Sequence, residues 1–172
     1  MENMNWPDMV LTPIGRVVSS LDLPSLKVGK KSDELEPSRG DVRGEYDKIK
    51  ELESAIELFD DQSERLHGIE AFSHIVVVYW PHLIKPEDRQ LTQVHPMGNR
   101  EIPKQGIFAT CSPVRPNPVL ISVVRLLSRH GNTLNVKGFE AVNNSPVIDI
   151  KPCSPHYFHA ENMVIPDWMP GR

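Results

Sequence analysis

Long apolar runs are missing from this chain. The longest, Ile75 to Pro81, has seven residues, whereas a membrane-spanning helix needs roughly 20, so no segment is expected to cross a bilayer. Cysteine is nearly absent too. Cys111 and Cys153 are the two present, too few for a disulfide framework, and both are expected as free thiols. The segment Met1 to Pro13 has neither a basic n-region nor an apolar h-region, which leads to an expected cytoplasmic location. Glycine-rich phosphate loops are missing as well: there is no Gly-x-Gly-x-x-Gly and no Gly-x-x-x-x-Gly-Lys-Ser/Thr, and His-Glu-x-x-His and Gly-x-Ser-x-Gly are also absent. The standard dinucleotide folds, P-loop enzymes, zinc proteases and α/β-hydrolases are thereby disfavoured. Any cofactor must be held in another way.

Proline, in contrast, is abundant, with 16 among 172 residues against a usual share of about 5%. Each proline lacks a donor N–H and fixes φ, so this frequency argues against long helices, coiled coils and solenoids, and for short strands with structured loops. The length suits one domain with a real core. The net charge of −4 conceals an asymmetry: residues 1–70 carry 16 acids and 9 bases, and residues 71–172 carry 7 acids and 10 bases. The excess of three bases in the second part permits a phosphate-bearing partner but is modest beside the stripes of dedicated nucleic-acid binders.

Along the chain, Val10 to Ser20 reads as a first or edge strand, and Leu21 to Asp47 as a long polar surface loop. Between Lys48 and Asp60, Ile49, Leu52, Ile56 and Phe59 fit a helix, while Ile56 and Leu58 also fit a strand. Phe72 to Trp80, with its Ile-Val-Val-Val-Tyr run, is the strongest β signal and reads as a central strand buried on both faces. Residues 81–104, punctuated by four prolines, read as a loop. Further strands are expected at Gly106 to Thr110, Val119 to Leu127, Thr133 to Glu140 and Val147 to Ile150, with a rigid turn at Ser112 to Pro118. The expected fold is mainly β, a barrel or sandwich with short helical additions.

The most informative stretch is Gly106-Ile107-Phe108-Ala109-Thr110-Cys111-Ser112-Pro113-Val114-Arg115-Pro116-Asn117-Pro118. Three prolines within six residues stiffen the backbone, so Arg115 and Asn117 project with little entropy left to lose on binding. An arginine fork and an amide suit a carboxylate, a phosphate or a base edge; the blander reading is a stiff connection with a surface ion pair. Together with Phe72-Ser73-His74, Trp80-Pro81-His82, His95-Pro96, Gly98-Asn99 and Ser145-Pro146-Val147-Ile148-Asp149-Ile150-Lys151-Pro152, this motif resembles the TsaA-like (TrmO-type) family in order and spacing. The resemblance covers residues 11–155, taken as one domain, with residues 156–172 as a C-terminal tail.

That resemblance implies a small β-barrel, a homodimer, S-adenosylmethionine as cofactor, and methylation of N6 of N6-threonylcarbamoyladenosine in tRNA. Family positions that hold the cofactor fall on Pro37, Ser38, Arg39, His82, Leu83, Cys111, Ile121, Glu140, Ala141, Val142 and Asn143. The sequence also departs from the family. Cys111 replaces an arginine, Val119-Leu120-Ile121-Ser122 replaces Ile-Gly-Leu-Ser, and Asn143-Asn144-Ser145-Pro146 replaces Asp-Gly-Thr-Pro. A thiol cannot replace an arginine as an anion partner, whereas Asn tolerates the left-handed backbone that the turn requires.

Methyl transfer from a sulfonium is an in-line displacement and depends chiefly on positioning. The acceptor nitrogen must also lose a proton, for which His82, Glu140 and Asp149 are candidates. Arg115, Asn117 and Lys151 are the candidates for holding the substrate or its phosphates. Each has a quieter reading: His74 as a core histidine, His82 as a strand-end residue, Glu140 as a solvated charge, and Asp149 with Lys151 as a simple ion pair, since residues two apart on a strand share a face. Two rival functions are a ligand-binding barrel without turnover and a metal site at Cys153, His156 and His159. No metal is carried in the leading reading.

Overall fold

In a computed structural model, residues 7–29, 34–38 and 42–169 are described. Ten strands and two α-helices occur there, besides short 3-10 segments: β1 (Gly15–Val18), β2 (Leu26–Val28), β3 (Leu35–Pro37), α1 (Val42–Glu51), β4 (Glu53–Leu58), β5 (His74–Tyr79), β6 (Gln93–Val94), β7 (Gln105–Gly106), β8 (Leu120–His130), β9 (Thr133–Lys137), β10 (Pro146–Pro152) and α2 (Pro155–Phe158). Six of the strands form a closed antiparallel barrel in the order β1-β10-β5-β8-β9-β4. β2 with β3, and β6 with β7, make two small hairpin-like sheets.

Alternation drives the barrel. In β4 the inward Ser54, Ile56 and Leu58 are buried, and the strand pairs with β9, where Leu134 and Val136 are fully buried. β5 lies between β10 and β8, so its Ile75, Val77 and Tyr79 fill the barrel while Val76 is also buried. The expectation of a central strand buried on both faces holds for its middle residues. The core combines these with Val17, Val124, Phe139 and Val147. Phe139 meets Tyr79 edge to face at 5.2 Å, an arrangement that favours aromatic pairs beyond their buried area.

A second, smaller core explains the prolines. Leu35 on β3 packs with Ile84, Val94, Ile107 and Val114, and Leu26 and Val28 on β2 close over them. The β2–β3 hairpin is therefore docked on the proline-rich loops beside the barrel. Glu34 fastens it there, reaching Arg100 at 3.0 Å, Lys104 at 3.3 Å and His95 at 3.6 Å. The hydrogen bond from Lys104, aided by the Arg100 charge, holds the Glu34 carboxyl below its ordinary range.

Three expectations are corrected. The stretch from Leu21 to Asp47 is not a plain loop, since β2, β3 and the start of α1 lie within it. Lys48 to Asp60 is both helix and strand: α1 ends at Glu51 and β4 begins at Glu53. Gly106 to Thr110 is not a strand, because β7 stops at Gly106 and Ile107–Ala109 forms a 3-10 turn. Thr110 N–H then donates to the Ile107 carbonyl at 3.2 Å. No helix among the described residues is long and apolar enough to cross a membrane.

Candidate functional site

One mouth of the barrel carries a cleft of about 340 Å³, within the size range of small-molecule sites. The C-terminal end of β5 supplies Tyr79 and the following Pro81, His82, Leu83 and Ile84. The first residues of β8 supply Leu120 and Ile121, the segment after β9 supplies Glu140, Ala141 and Val142, and Ser145 stands just before β10. Pro24, Ser25 and Leu26 lead into β2 on one side, and Cys111, Pro113 and Arg115 form another wall.

Local sequence produces this convergence. Gly138, with φ at +82°, turns the chain sharply after β9, a conformation without steric penalty for glycine. Phe139 then plugs the core and Glu140 emerges at the cleft floor. Further on, Asn144 takes a φ of +63°, so Asn does fill the turn where the resemblance expects Gly. The turn is tied to the start of the chain: Asn144 N–H donates to Val17 O at 2.8 Å, Asn143 N–H to Leu21 O at 2.7 Å, and Asn143 Oδ1 accepts from Ser19 N–H at 3.2 Å.

The polar groups of the floor are linked. Glu140 Oε1 accepts from Ser122 Oγ at 2.6 Å and from the Tyr79 hydroxyl at 3.2 Å. Burial, together with the Glu140 charge, pushes the Tyr79 hydroxyl far above its ordinary value, so it remains a protonated donor. His82 Nδ1 lies 3.3 Å from Ser145 Oγ. Burial also lowers the His82 imidazole from its ordinary value, which favours the neutral ring.

Arg115 does not project as a free fork. Its Nη2 donates to Thr110 O at 2.8 Å and to Ile107 O at 3.2 Å, clamping the 3-10 turn, while its buried Nε has no partner among the described residues. A buried donor without a partner is costly to leave unmet. It is one observation that suits a ligand acceptor in this cleft, where the carboxylate of Glu140 and the guanidinium of Arg115 stand among largely apolar walls.

Eight of the residues singled out in the sequence line the cleft: His82, Leu83, Cys111, Arg115, Ile121, Glu140, Ala141 and Val142. Others lie elsewhere. Ser38 lines an adjoining recess with Lys27, Lys85 and Asp88, and its buried Oγ has no partner among the described residues. Pro37 ends β3, and Arg39 lies outside the described residues. Asn143 serves the turn rather than the cleft wall, and Asn117 is exposed between its prolines. Asp149 pairs with Lys151 at 2.6 Å on a half-exposed part of β10, away from the cleft. His74 is exposed and contacts Ser73 Oγ at 3.0 Å, so its core reading is corrected.

Cys153, His156 and His159 do not converge: among the described residues no group of three His, Cys, Asp or Glu side chains is placed to hold a metal ion. His156 instead meets the Tyr157 ring edge to face at 5.1 Å.

Tyr79, Ser122 and Ser145 are site residues that the sequence reading did not single out. A signal existed for Ser122, which interrupts the inward apolar positions of its strand opposite Val77.

A closed antiparallel barrel with a ligand-sized, largely apolar cleft at one mouth and a few convergent polar groups defines a small-molecule-binding β-barrel. Residues 40–158 match the family described as tRNA-methyltransferase O N-terminal domain, and the chain belongs to that family. A probable S-adenosyl-L-methionine-binding protein of Pyrococcus abyssi is 40% identical over 125 residues, covering 73% of this chain and 65% of that protein. An S-adenosyl-L-methionine-binding protein of Archaeoglobus fulgidus is 36% identical over 147 residues, covering 86% of this chain and 91% of the relative. The crystal structure of TrmO from Pseudomonas aeruginosa superposes with a TM-score of 0.63 at 23% identity, over 92% of this chain and 61% of that one, a likeness of fold. The chain thus spans just under two thirds of the Pyrococcus relative and about three fifths of the TrmO chain. The barrel strand β1 precedes the part that matches the family.

Proposed function

We propose that this chain binds S-adenosylmethionine in the cleft at the barrel mouth and, as a homodimer, transfers its methyl group to N6 of N6-threonylcarbamoyladenosine, or of a related modified adenosine, in tRNA. The observation that carries this reading is the convergence of seven family-implied positions, His82, Leu83, Cys111, Ile121, Glu140, Ala141 and Val142, on one cleft. Family membership and the names of the archaeal relatives support it. When bound, the cofactor would supply an electrophilic methyl carbon on a positively charged sulfur.

The protein's own residues then have separable tasks. Leu26, Leu83, Ile84, Leu120 and Ile121 exclude water from the reacting atoms. Arg115 fixes the wall that carries Cys111, and its unpartnered Nε offers a donor to an acceptor on the ligand. Asp149 is engaged with Lys151, which leaves His82 and Glu140 as proton acceptors at the cleft. With Nδ1–H donating to Ser145 Oγ, the His82 ring would present the lone pair of Nε2. The exposed Asn117 and Lys151 would meet tRNA outside the cleft.

Calorimetry with S-adenosylmethionine or S-adenosylhomocysteine, on protein at tens of micromolar, tests the binding half; no heat of binding for either would overturn it. Incubation with labelled cofactor and bulk tRNA tests transfer, with the label expected in N6-threonylcarbamoyladenosine after digestion. His82→Gln is expected to lower turnover by about a hundredfold or more, the scale of a lost general base. A second reading draws on Cys111, which lines the cleft where the resemblance expects arginine: a barrel that binds ligand without turnover. Cofactor binding without label incorporation would favour it. Sedimentation equilibrium tests the dimer.

A further inference from the structure

Glu140 holds an unusual position on the cleft floor. Its Oε1 is engaged by two internal donors, Ser122 Oγ at 2.6 Å and Tyr79 Oη at 3.2 Å. A carboxylate oxygen offers two lone-pair directions, so the protein itself occupies that oxygen and leaves Oε2 for a ligand. A two-point grip on a vicinal diol would need both oxygens. One open oxygen suits a single donor or a single cationic centre.

Charge narrows the choice further. Among the described residues lining the cleft, Glu140 is the only carboxylate, while Arg115 is a cation and the His82 ring is held toward neutrality by burial. Largely apolar walls surround these groups, which strengthens a contact between unlike charges relative to water. A ligand that brings positive charge into this cleft has one negative partner there.

The geometry points to Glu140 as the residue that recognises a positive centre at the ligand's sulfur position, so that the cleft tells a sulfonium from a neutral thioether. Tyr79 and Ser122 are positioning residues for that carboxylate. The inference rests on the cofactor reading above and deepens it. Transfer breaks the methyl carbon–sulfur bond, whose electron pair stays on sulfur and makes it neutral; the carbon joins the acceptor nitrogen, whose proton passes to a base at the site. Glu140 then loses its partner as the product forms, and release of the thioether is favoured.

Dissociation constants for three probes test this: S-adenosylmethionine, sinefungin, in which a carbon bearing an ammonium replaces the methylated sulfur, and S-adenosylhomocysteine, which is neutral there. Glu140→Gln is expected to weaken the first two about tenfold and the third less than about threefold, as the loss of one charge contact in a partly desolvated site implies. Tyr79→Phe, which keeps the ring against Phe139, is expected to shift the same ratio in the same direction by a smaller factor. In the Glu140→Gln background that shift should vanish, whereas a merely structural effect of Tyr79 would persist. Equal losses for all three probes, or no loss, would overturn the inference while leaving the cofactor reading intact. Failure of the wild-type protein to bind any probe would overturn both.

Discussion

At the scale of single residues, two positions near the cleft carry measurable consequences. Asn144 sits at a φ of +63° and donates its N–H to Val17 O. A β-branched side chain there meets the left-handed penalty of roughly 1–2 kcal/mol, so Asn144→Val is expected to lower unfolding stability by about that much, whereas Asn144→Gly stays within a few tenths. Urea unfolding read by tryptophan fluorescence would check both. His82 gives a pH dependence. Burial lowers its pKa in the folded chain from the ordinary 6.5, so above pH 6.5 the neutral ring costs nothing on unfolding. As pH falls below 6.5 the unfolded chain takes up the proton first, and this contribution is lost as pH drops through the folded value. The difference in urea midpoint between pH 7.5 and 5.5 should therefore shrink in His82→Gln. The Asn turn was legible in the sequence because αL tolerance is a local property. The link from Tyr79 and Ser122 to Glu140 was not, since it depends on register between strands distant along the chain.

Among the elements, the segment from Gly106 to Pro118 shows what a side chain can do to a backbone. Its apolar residues have strand character, yet Arg115 captures the carbonyls of Ile107 and Thr110, groups a strand would have spent on a ladder. A 3-10 turn results, and the strand expectation fails for that reason. Arg115→Lys is expected to loosen the turn, because one ammonium cannot reproduce the planar fork. Faster amide exchange at Thr110, with affinity for S-adenosylhomocysteine falling several-fold, would be the measured outcome. The long strands were legible for the opposite reason: β5 is a continuous β-branched run buried on both faces and β8 alternates buried with exposed positions in its first half, patterns that hydrophobic burial enforces without help. β2 and β3 escaped notice because each has three residues in a polar stretch. What holds them is Ile84, Val94, Ile107 and Val114, contributed from far along the chain.

For the whole molecule, prolines and strands divide the work. Sequence composition pointed to short strands and stiff loops, and the molecule places the strands in one closed barrel and the proline-rich loops around a second core beside the cleft. Closure has a kinetic consequence. β1 lies between β4 and β10, with Gly15 opposite both Leu58 and Val147, so the final ladder joins residues near the two ends of the sequence. Loop-closure entropy opposes such contacts until most of the chain is ordered, and folds rich in non-local pairing reach the native state in milliseconds to seconds. The slow phase of refolding should therefore report the arrival of β1, as an amide-exchange pulse that protects Val17 and Val18 after β5 and β8. A fragment begun at residue 40, where the family match starts, would keep the folding information of five staves and lose the one that seals them. Its β4 and β10 would present open hydrogen-bonding edges, and such edges recruit other chains; the fragment is expected to aggregate during refolding at concentrations where the 172-residue chain returns to monodisperse protein.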